Sequence, residues 1–329
     1  MRRRELIAGL AATVLPLGAR AQQSPTKKRI ALMGVGSVAE LRIGRDPNAT
    51  AFFEELKRLG YVEGENLIVE RYEVRPDTAA NVAREAVSTN PDVIVCYGMP
   101  TAGRLKALTS TIPIVAYTGD PISFGLISSL AHPGGNITGV SVDAGIEIWG
   151  KRLELLSDAV PKLSNVLFVS TQGGWDGAGG RTVRDAAQKL GLSLVRATVD
   201  SPYDEAEYRR TFSSIQGGQL DGIVLSDEGV HFRNRLLLVQ LIQQMRLPAI
   251  YTYRDQAEAG GLMAYSYDIK SAVRRQAMQV VEILRGANPG DIPYFQETRF
   301  ELVINLKAAN ELGLEIPAGL VAGAVAVIE

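Results

Sequence analysis

Arg29-Ile30-Ala31-Leu32-Met33-Gly34 sets the fold class, because it is a short apolar run that ends in glycine. A helical pattern of apolar residues follows over residues 47–60, with Gly60 as the C-cap, and Leu67-Ile68-Val69-Glu70-Arg71-Tyr72 is the next strand-like run. Strands that alternate with amphipathic helices form parallel sheets covered by helices on both faces. The sequence therefore predicts an α/β fold with doubly wound parallel sheets.

The same alternation continues along the rest of the chain. Further strands are predicted at residues 93–97, 114–117, 166–170, 192–198, 222–226, 249–253 and 262–265. Helices are predicted at residues 78–89, 101–108, 124–130, 147–157, 181–190, 204–215, 232–245 and 269–284. Pro133-Gly134-Gly135-Asn136 interrupts the rhythm, which predicts two α/β units of similar size. The helix at 269–284 and a strand-like run at 300–305 remain after the second unit and could belong to either one.

The N-terminal residues carry the three parts of a secretory signal. Arg2-Arg3-Arg4 precedes an apolar run at residues 6–17, and Ala19-Arg20-Ala21 supplies a cleavage site. We expect cleavage after Ala21 and export to the periplasm by the general secretion route or the twin-arginine route. The run is shorter than the roughly 20 residues of a membrane span, and no lipobox-like segment precedes a cysteine. The competing interpretation is an apolar tail on a cytosolic protein.

Composition excludes several function classes. The formal net charge is −1, and removal of residues 1–21 takes away four arginines and one glutamate, which leaves −4. This mildly acidic balance gives no reason to expect a nucleic-acid partner. Cys96 has no second cysteine with which to pair, and His132 and His231, the only two histidines, lack metal-ligand spacing. With no Gly-x-Ser-x-Gly elbow either, we expect no catalytic residues, no metal and no cofactor.

The loops that follow the predicted strands are the expected binding site, because ligands of open parallel sheets bind beyond the carboxyl ends of the strands. The candidate ligand-binding residues are Gly36, Ser37, Tyr97, Gly98, Pro100, Thr101, Asp120, Trp175, Asp176, Ser226, Asp227, Tyr253, Arg254 and Tyr267.

Each candidate group has a binding interpretation and a structural alternative. Gly98 would let the backbone approach a ligand, and Thr101 at the start of a helix would suit a carboxylate or merely cap the helix. In the glycine-rich loop at residues 173–180, Trp175 would stack on a flat ligand and Asp176 would bind an ammonium, or the tryptophan is simply exposed. Asp120 precedes a helix and could be only a cap.

The loops after the predicted strands at 222–226 and 249–253 also have both a binding and a structural interpretation. Asp227 and Glu228 would neutralise a ligand amine in a receptor, serve as acid and base in an enzyme, or cap the following helix. Tyr253 would form a wall of the cleft. Arg254 would bind a carboxylate with its guanidinium fork, or pair with Asp255 at the surface.

Several segments together resemble one family. Four segments are similar to segments of the ABC-transporter substrate-binding proteins that include tryptophan and phenylalanine receptors. They are Gly60-Tyr61-Val62-Glu63-Gly64-Glu65-Asn66, Pro133-Gly134-Gly135-Asn136-Ile137-Thr138-Gly139-Val140-Ser141, Lys151-Arg152-Leu153-Glu154-Leu155-Leu156 and Phe300-Glu301-Leu302-Val303-Ile304-Asn305-Leu306-Lys307-Ala308-Ala309. Asp120-Pro121 and Gly125-Leu126-Ile127 fit the same pattern, whereas the loop at 173–180 and the residues before Pro100 depart from it.

The resemblance implies a type I periplasmic binding protein, with two doubly wound lobes and a three-crossing hinge. It implies that residues 28–139 with 268–295 form lobe 1, that residues 141–266 with 297–329 form lobe 2, and that a solute binds in the cleft between them. The expected function is a monomeric receptor that delivers an amino acid or related carboxylate, aromatic or apolar, to an ABC permease in the inner membrane. Two alternatives stay open: a receptor that feeds a sensor kinase or chemoreceptor, and a periplasmic hydrolase that uses Asp227 or Glu228.

Overall fold

The computed structural model describes residues 27–34, 36–75, 77–142, 145, 147–215 and 220–329, and the predicted signal segment lies outside them. The strands are β1 (Lys28–Gly34), β2 (Leu67–Glu73), β3 (Val93–Tyr97), β4 (Ile114–Thr118), β5 (Ile137–Ser141), β6 (Asn165–Thr171), β7 (Ser193–Val199), β8 (Gly222–Leu225), β9 (Ala249–Tyr251), β10 (Met263–Tyr267), β11 (Phe295–Gln296), β12 (Phe300–Asn305) and β13 (Ala326–Ile328). The helices are α1 (Pro47–Arg58), α2 (Ala79–Ser88), α3 (Met99–Leu108), α4 (Glu147–Ala159), α5 (Gln172–Asp176), α6 (Ala178–Leu190), α7 (Glu205–Ser214), α8 (Gly229–Arg233), α9 (Arg235–Met245), α10 (Arg254–Glu258), α11 (Ile269–Leu284), α12 (Leu306–Glu311) and α13 (Ala318–Gly323).

Within these residues the strands form two sheets. Sheet 1 has the order β11-β5-β4-β3-β1-β2, and sheet 2 has the order β13-β12-β10-β9-β8-β6-β7. Neighbouring strands run parallel, except that β10 and β12 are antiparallel. We call sheet 1 with the helices packed on it lobe 1, and sheet 2 with its helices lobe 2. The predicted class, α/β with two doubly wound parallel-sheet lobes, is confirmed.

The strands are apolar on both faces because helices cover both faces of each sheet. In β1, Ile30 and Leu32 pack with α1 and α11, whereas Ala31 and Met33 pack with α2 and α3. In β6 of lobe 2, Phe168 packs with α4 and α6, and its neighbour Val169 packs with α7 and α9. No helix in the described chain is both long and apolar enough to cross a membrane.

The described chain passes between the lobes at three places. It leaves sheet 1 after β5, returns after β10 when α11 packs against α1, and leaves again between β11 and β12. The leftover helix at 269–284 therefore packs in lobe 1, and the strand at 300–305 belongs to sheet 2. Residues at the carboxyl ends of strands from both sheets border the space between the two lobes.

Three local predictions are wrong. Residues 124–130 form turns rather than a helix, because Gly125 takes φ +65° and the Pro121 carbonyl accepts hydrogen bonds from the amides of Leu126 and Ile127. The predicted loop at 173–180 lies in the helices α5 and α6, which Gly177 separates, and the Thr171 Oγ1 caps α5 by accepting from the Gly174 amide at 3.0 Å. The predicted helix at 232–245 is interrupted at Asn234, which separates α8 from α9.

Candidate functional site

A cleft of about 260 Å³ lies between the two lobes. It opens beyond the carboxyl ends of β1, β3 and β4 in lobe 1 and of β8, β9 and β10 in lobe 2. In sheet 1 the strand order reverses between β1 and β3, and in sheet 2 it reverses between β6 and β8. A crevice at such switch points is where open α/β sheets bind their ligands. The fold itself therefore makes this cleft the candidate site.

The wall from lobe 1 is mainly apolar. Its aliphatic and phenyl side chains come from β1, α1, α11 and the segment between β1 and α1, and they are Leu32, Leu41, Ala49, Phe52, Ile269 and Val273. Apart from Ala49, these residues belong to, or pack against, one core cluster of lobe 1. The wall is consequently a continuation of the core and is held by packing.

Three tyrosines form the floor of the cleft. The ring centroids of Tyr97 and Tyr117 are 5.5 Å apart, and those of Tyr117 and Tyr267 are 6.3 Å apart. Burial raises the pKa of Tyr267 to about 12 and raises the pKa values of Tyr97 and Tyr117 well above 10. The hydroxyl groups therefore stay protonated, and the rings offer faces for an apolar or cationic group.

The wall from lobe 2 is charged and aromatic. The Asp227 Oδ2 accepts from the Arg152 Nη1 at 3.1 Å, and the Asp227 main-chain carbonyl accepts from the Tyr253 hydroxyl at 3.3 Å. Phe232 packs edge-to-face on Tyr253 with centroids 4.9 Å apart, and the Arg235 guanidinium lies 4.5 Å from the Phe232 ring centroid. These contacts fix the direction in which each side chain faces the cleft.

The charged side chains that line the cleft among the described residues are those of Glu40, Asp46, Asp227 and Arg235. Three carboxylates against one guanidinium give the lining a formal charge of −2. Such a lining attracts a ligand that carries a positive charge and repels one that is purely anionic.

Ion pairs join the two lobes beside the cleft. The Arg235 Nη2 lies 2.7 Å from the Asp46 Oδ2 in lobe 1, while its Nε lies 2.5 Å from the Asp255 Oδ2 in lobe 2. At a second contact the Arg233 Nη2 donates to the Val74 carbonyl at 3.1 Å and lies 3.5 Å from the Glu73 Oε1. Asp46 also caps α1, because its Oδ1 accepts from the amides of the second and third helical residues.

A buried polar network lies behind the wall of lobe 2. The Glu228 carboxylate accepts from the Ser226 hydroxyl at 2.6 Å and from the Thr171 amide at 2.9 Å and hydroxyl at 2.5 Å. The His231 Nδ1 lies 2.7 Å from the Tyr208 hydroxyl. Burial lowers the pKa of His231 to about 4, although the nearby Glu228 and Asp227 oppose the shift. Neither Asp227 nor Glu228 uses its side chain to cap α8.

The structure brings six of the predicted site residues to the cleft: Gly36, Tyr97, Gly98, Asp227, Tyr253 and Tyr267. Ser37 lies just outside, where its amide donates to the Glu40 Oε2 at 2.7 Å. The Thr101 prediction fails as a cap, because α3 begins at Met99 with Gly98 at φ +87° as the N-cap. Thr101 is buried in the helix, and Pro100 is exposed on its first turn.

The remaining predicted residues lie away from the cleft. Trp175 is in α5, with its ring 6.1 Å from Phe168 and with the guanidinium groups of Arg184 and Arg196 at 4.8 and 5.4 Å. Asp176 accepts a hydrogen bond from Gln172 at the surface.

The last three predicted site residues, Arg254, Asp120 and Ser226, are held by ion pairs or hydrogen bonds outside the cleft. Arg254 pairs with Glu258 at 2.8 Å and Glu301 at 3.2 Å rather than with Asp255. The Asp120 Oδ1 accepts from two amides of the following turn at 2.9 and 3.0 Å. Ser226 is buried with its hydroxyl bonded to Glu228.

Several cleft residues escaped the sequence analysis, among them Asp46, Tyr117, Phe232 and Arg235. The Asp46-Pro47 pair is a helix-start signal that could have drawn attention to Asp46. Phe232 and Arg235 flank the break between α8 and α9, which the helical pattern does not reveal. None of the described residues forms a group of three or more His, Cys, Asp or Glu side chains able to hold a metal ion.

Comparison with known proteins places this geometry in a family. Residues 43–328 match the family model of the ABC transporter substrate binding protein. The chain is 24% identical over 274 residues to the tyrosine-binding protein of Clostridioides difficile, which covers 82% of this chain and 77% of the relative.

Solved structures give the same answer for the fold. A conserved domain protein from Vibrio cholerae is 27% identical with a TM-score of 0.76, covering 92% of this chain and 100% of the other. An ABC domain from Streptococcus pneumonia in complex with L-Trp is 22% identical with a TM-score of 0.73, again covering 92% and 100%. The two lobes thus have the type I periplasmic binding protein fold, and the chain belongs to the family of ABC transporter substrate-binding proteins.

Proposed function

We propose that this protein is the periplasmic receptor of an ABC importer for an amino acid with an apolar or aromatic side chain. One observation carries the proposal: an apolar wall from lobe 1 faces the Asp227 carboxylate of lobe 2 across an aromatic floor. The ammonium of the ligand binds Asp227, and the side chain of the ligand packs on Phe52, Ile269 and Val273. Relatives that bind tyrosine or hold L-Trp support this class of ligand.

The charge of the cleft lining further restricts the class of ligand. Because the lining carries a formal charge of −2, a carboxylate ligand without an ammonium is disfavoured. We therefore propose a zwitterion rather than a simple aromatic acid. The ligand carboxylate would be bound by a neutral donor, such as the Tyr267 hydroxyl that lines the cleft.

A panel of related compounds tests this assignment. Thermal shift and calorimetry would compare L-phenylalanine, L-tyrosine, L-tryptophan and L-leucine with tyramine and 3-phenylpropionate. We expect at least one amino acid to bind in the micromolar range or tighter, the amine to bind weakly, and the acid not to bind. Binding of 3-phenylpropionate as tight as that of L-phenylalanine would contradict the role of Asp227.

Closure of the lobes around the ligand is the proposed mechanism, and the closed state would dock on the permease. Support comes from the ion pair between Arg235 and Asp46, which joins the lobes beside the cleft at 2.7 Å. Replacing Arg235 by Met should shift the free protein towards an open state and speed ligand dissociation about tenfold. Small-angle scattering and stopped-flow kinetics would measure both effects. Arg209→Met, which removes an ion pair within α7, is the control.

The proposed lobe boundaries are residues 28–139 with 268–295 and residues 141–266 with 297–329. We further propose a monomer in the periplasm, released from its signal peptide after Ala21. N-terminal sequencing of the exported protein and its sedimentation behaviour would test these points.

A hydrolase role for Asp227 or Glu228 receives no support. Asp227 is paired with Arg152, and Glu228 accepts three hydrogen bonds within the buried network. We therefore propose a receptor without catalytic activity, and chromatography of each bound amino acid after long incubation would detect any turnover.

A further inference from the structure

Arg152 is an unusual residue for the position it occupies. It stands in α4, directly before the core residue Leu153, and its side chain has no solvent exposure. A buried guanidinium is costly unless each part of it finds a partner. The position would suit an aliphatic side chain for packing alone, so the charge needs a separate reason.

The contacts of Arg152 lead directly to the cleft. Its Nε donates to the Tyr265 carbonyl of β10 at 2.9 Å, and its Nη1 donates to the Asp227 Oδ2 at 3.1 Å. Among the described residues nothing accepts from the Nη2. Arg152 thus spans from the strand that leads to Tyr267 to the carboxylate that faces the ligand space.

The arrangement leaves one carboxylate oxygen for a ligand. Arg152 engages only the Oδ2 of Asp227, and within the described residues no hydrogen bond is made by the Oδ1. Asp227 is 22% exposed and lines the cleft, whereas Arg152 is sealed behind it. Arg152 therefore cannot touch a ligand in this state, and it acts through Asp227 alone.

We propose that Arg152 is the positioning residue of the binding site, which fixes the Asp227 carboxylate so that its Oδ1 meets the ammonium of the ligand. This role rests on the proposed function, in which Asp227 binds that ammonium. Arginine suits the task because its rigid planar fork holds two acceptors in fixed directions, whereas the donors of a lysine ammonium rotate on one flexible stem.

A double-mutant cycle tests the proposal. Arg152→Met, Asp227→Asn and the double variant would be titrated by calorimetry with the tightest-binding of L-phenylalanine, L-tyrosine and L-tryptophan. We expect each single change to weaken binding at least tenfold and the double variant to bind within twofold of Asp227→Asn. Lys151→Met, which alters the exposed neighbour of Arg152 on the same helix, should bind like the wild type.

Three outcomes decide against the proposal. Additive losses in the cycle would mean that Arg152 only stabilises lobe 2, and wild-type affinity of Arg152→Met would mean that it has no role in binding. If Arg152→Met fails to fold, Arg152→Lys keeps the charge, and it should still bind at least fivefold more weakly with the same dependence on Asp227. A wild-type protein that binds none of the three amino acids would overturn the proposed function and the positioning role together. Amino-acid binding with additive losses would overturn the positioning role alone.

Discussion

The two walls of the cleft are held in place by different forces. In lobe 1 the wall consists of residues such as Phe52 and Val273 that also belong to the hydrophobic core. In lobe 2 the wall consists of Asp227 and Arg235, whose directions are set by ion pairs and hydrogen bonds to residues behind them. Packing is tolerant of ligand shape but indifferent to charge, whereas a directed carboxylate discriminates by charge. The apolar wall of lobe 1 should therefore govern the size of the ligand, and Asp227 of lobe 2 should govern where the charged group of the ligand is bound.

Loss of the carboxylate in lobe 2 should have the largest effect on binding. Asp227→Asn keeps the shape of the side chain but leaves the ligand ammonium without a charged acceptor. We expect affinity for an amino acid to fall by about 2–5 kcal/mol, which is thirtyfold or more, as measured by calorimetry. The melting temperature should also drop, because Arg152 loses its ion pair. Asp176→Asn, on the exposed surface of lobe 2, is the control, and equal losses in both variants would break the comparison of the walls.

Acid should destabilise the network behind lobe 2 through His231. Its folded pKa is about 4 because of burial, whereas an unfolded histidine titrates near 6.5. Between these values the unfolded chain binds a proton that the folded chain does not. Stability therefore falls as the pH drops from about 6.5 to about 4, by roughly 3 kcal/mol at most.

Urea unfolding between pH 4 and pH 7 measures this effect. His231→Gln should flatten the pH dependence, while the other histidine variant, His132→Gln, should keep the slope of the wild type. Identical slopes for all three proteins would show that the network in lobe 2 does not carry the proton linkage.

A smaller effect should follow from trimming the apolar wall of lobe 1. Ile269 lines the cleft at the start of α11 and is half-buried, so Ile269→Ala removes contact area without opening the core. We expect a loss of about 1–2 kcal/mol, or five- to thirtyfold, for L-phenylalanine and almost none for L-alanine. Leu236→Ala at the surface of lobe 2 is the control. An equal loss for both ligands would mean that lobe 1 does not read side-chain size.

The features that local sequence patterns produce could be predicted, whereas those that depend on contacts made by the fold could not. Apolar periodicity predicts the strands and helices, and the rule of strand ends leads to Tyr97, Asp227 and Tyr253 without any structure. The rule of strand ends does not lead to Asp46 and Arg235. These two residues are separated by 189 positions in the sequence, and their ion pair therefore produces no local sequence pattern. Nor does the rule exclude Trp175, since only the fold reveals that α5 turns this ring onto Phe168.

Two arginines of lobe 2 should show the smallest difference that the comparison of the walls predicts. Both form ion pairs with carboxylates, but only one of them pairs with a residue of lobe 1. Arg235 pairs with Asp46 across the cleft, whereas the partners of Arg254, Glu258 and Glu301, both belong to lobe 2. We expect Arg254→Ala to bind the ligand within twofold of the wild type and to lose less than about 1 kcal/mol of stability, since partly exposed ion pairs contribute little. Calorimetry and urea unfolding measure both values beside Arg235→Met. A tenfold loss of affinity in Arg254→Ala would mean that the ligand extends beyond the cleft between Asp227 and the apolar wall. The proposed separate roles of the two walls in ligand binding would then be wrong.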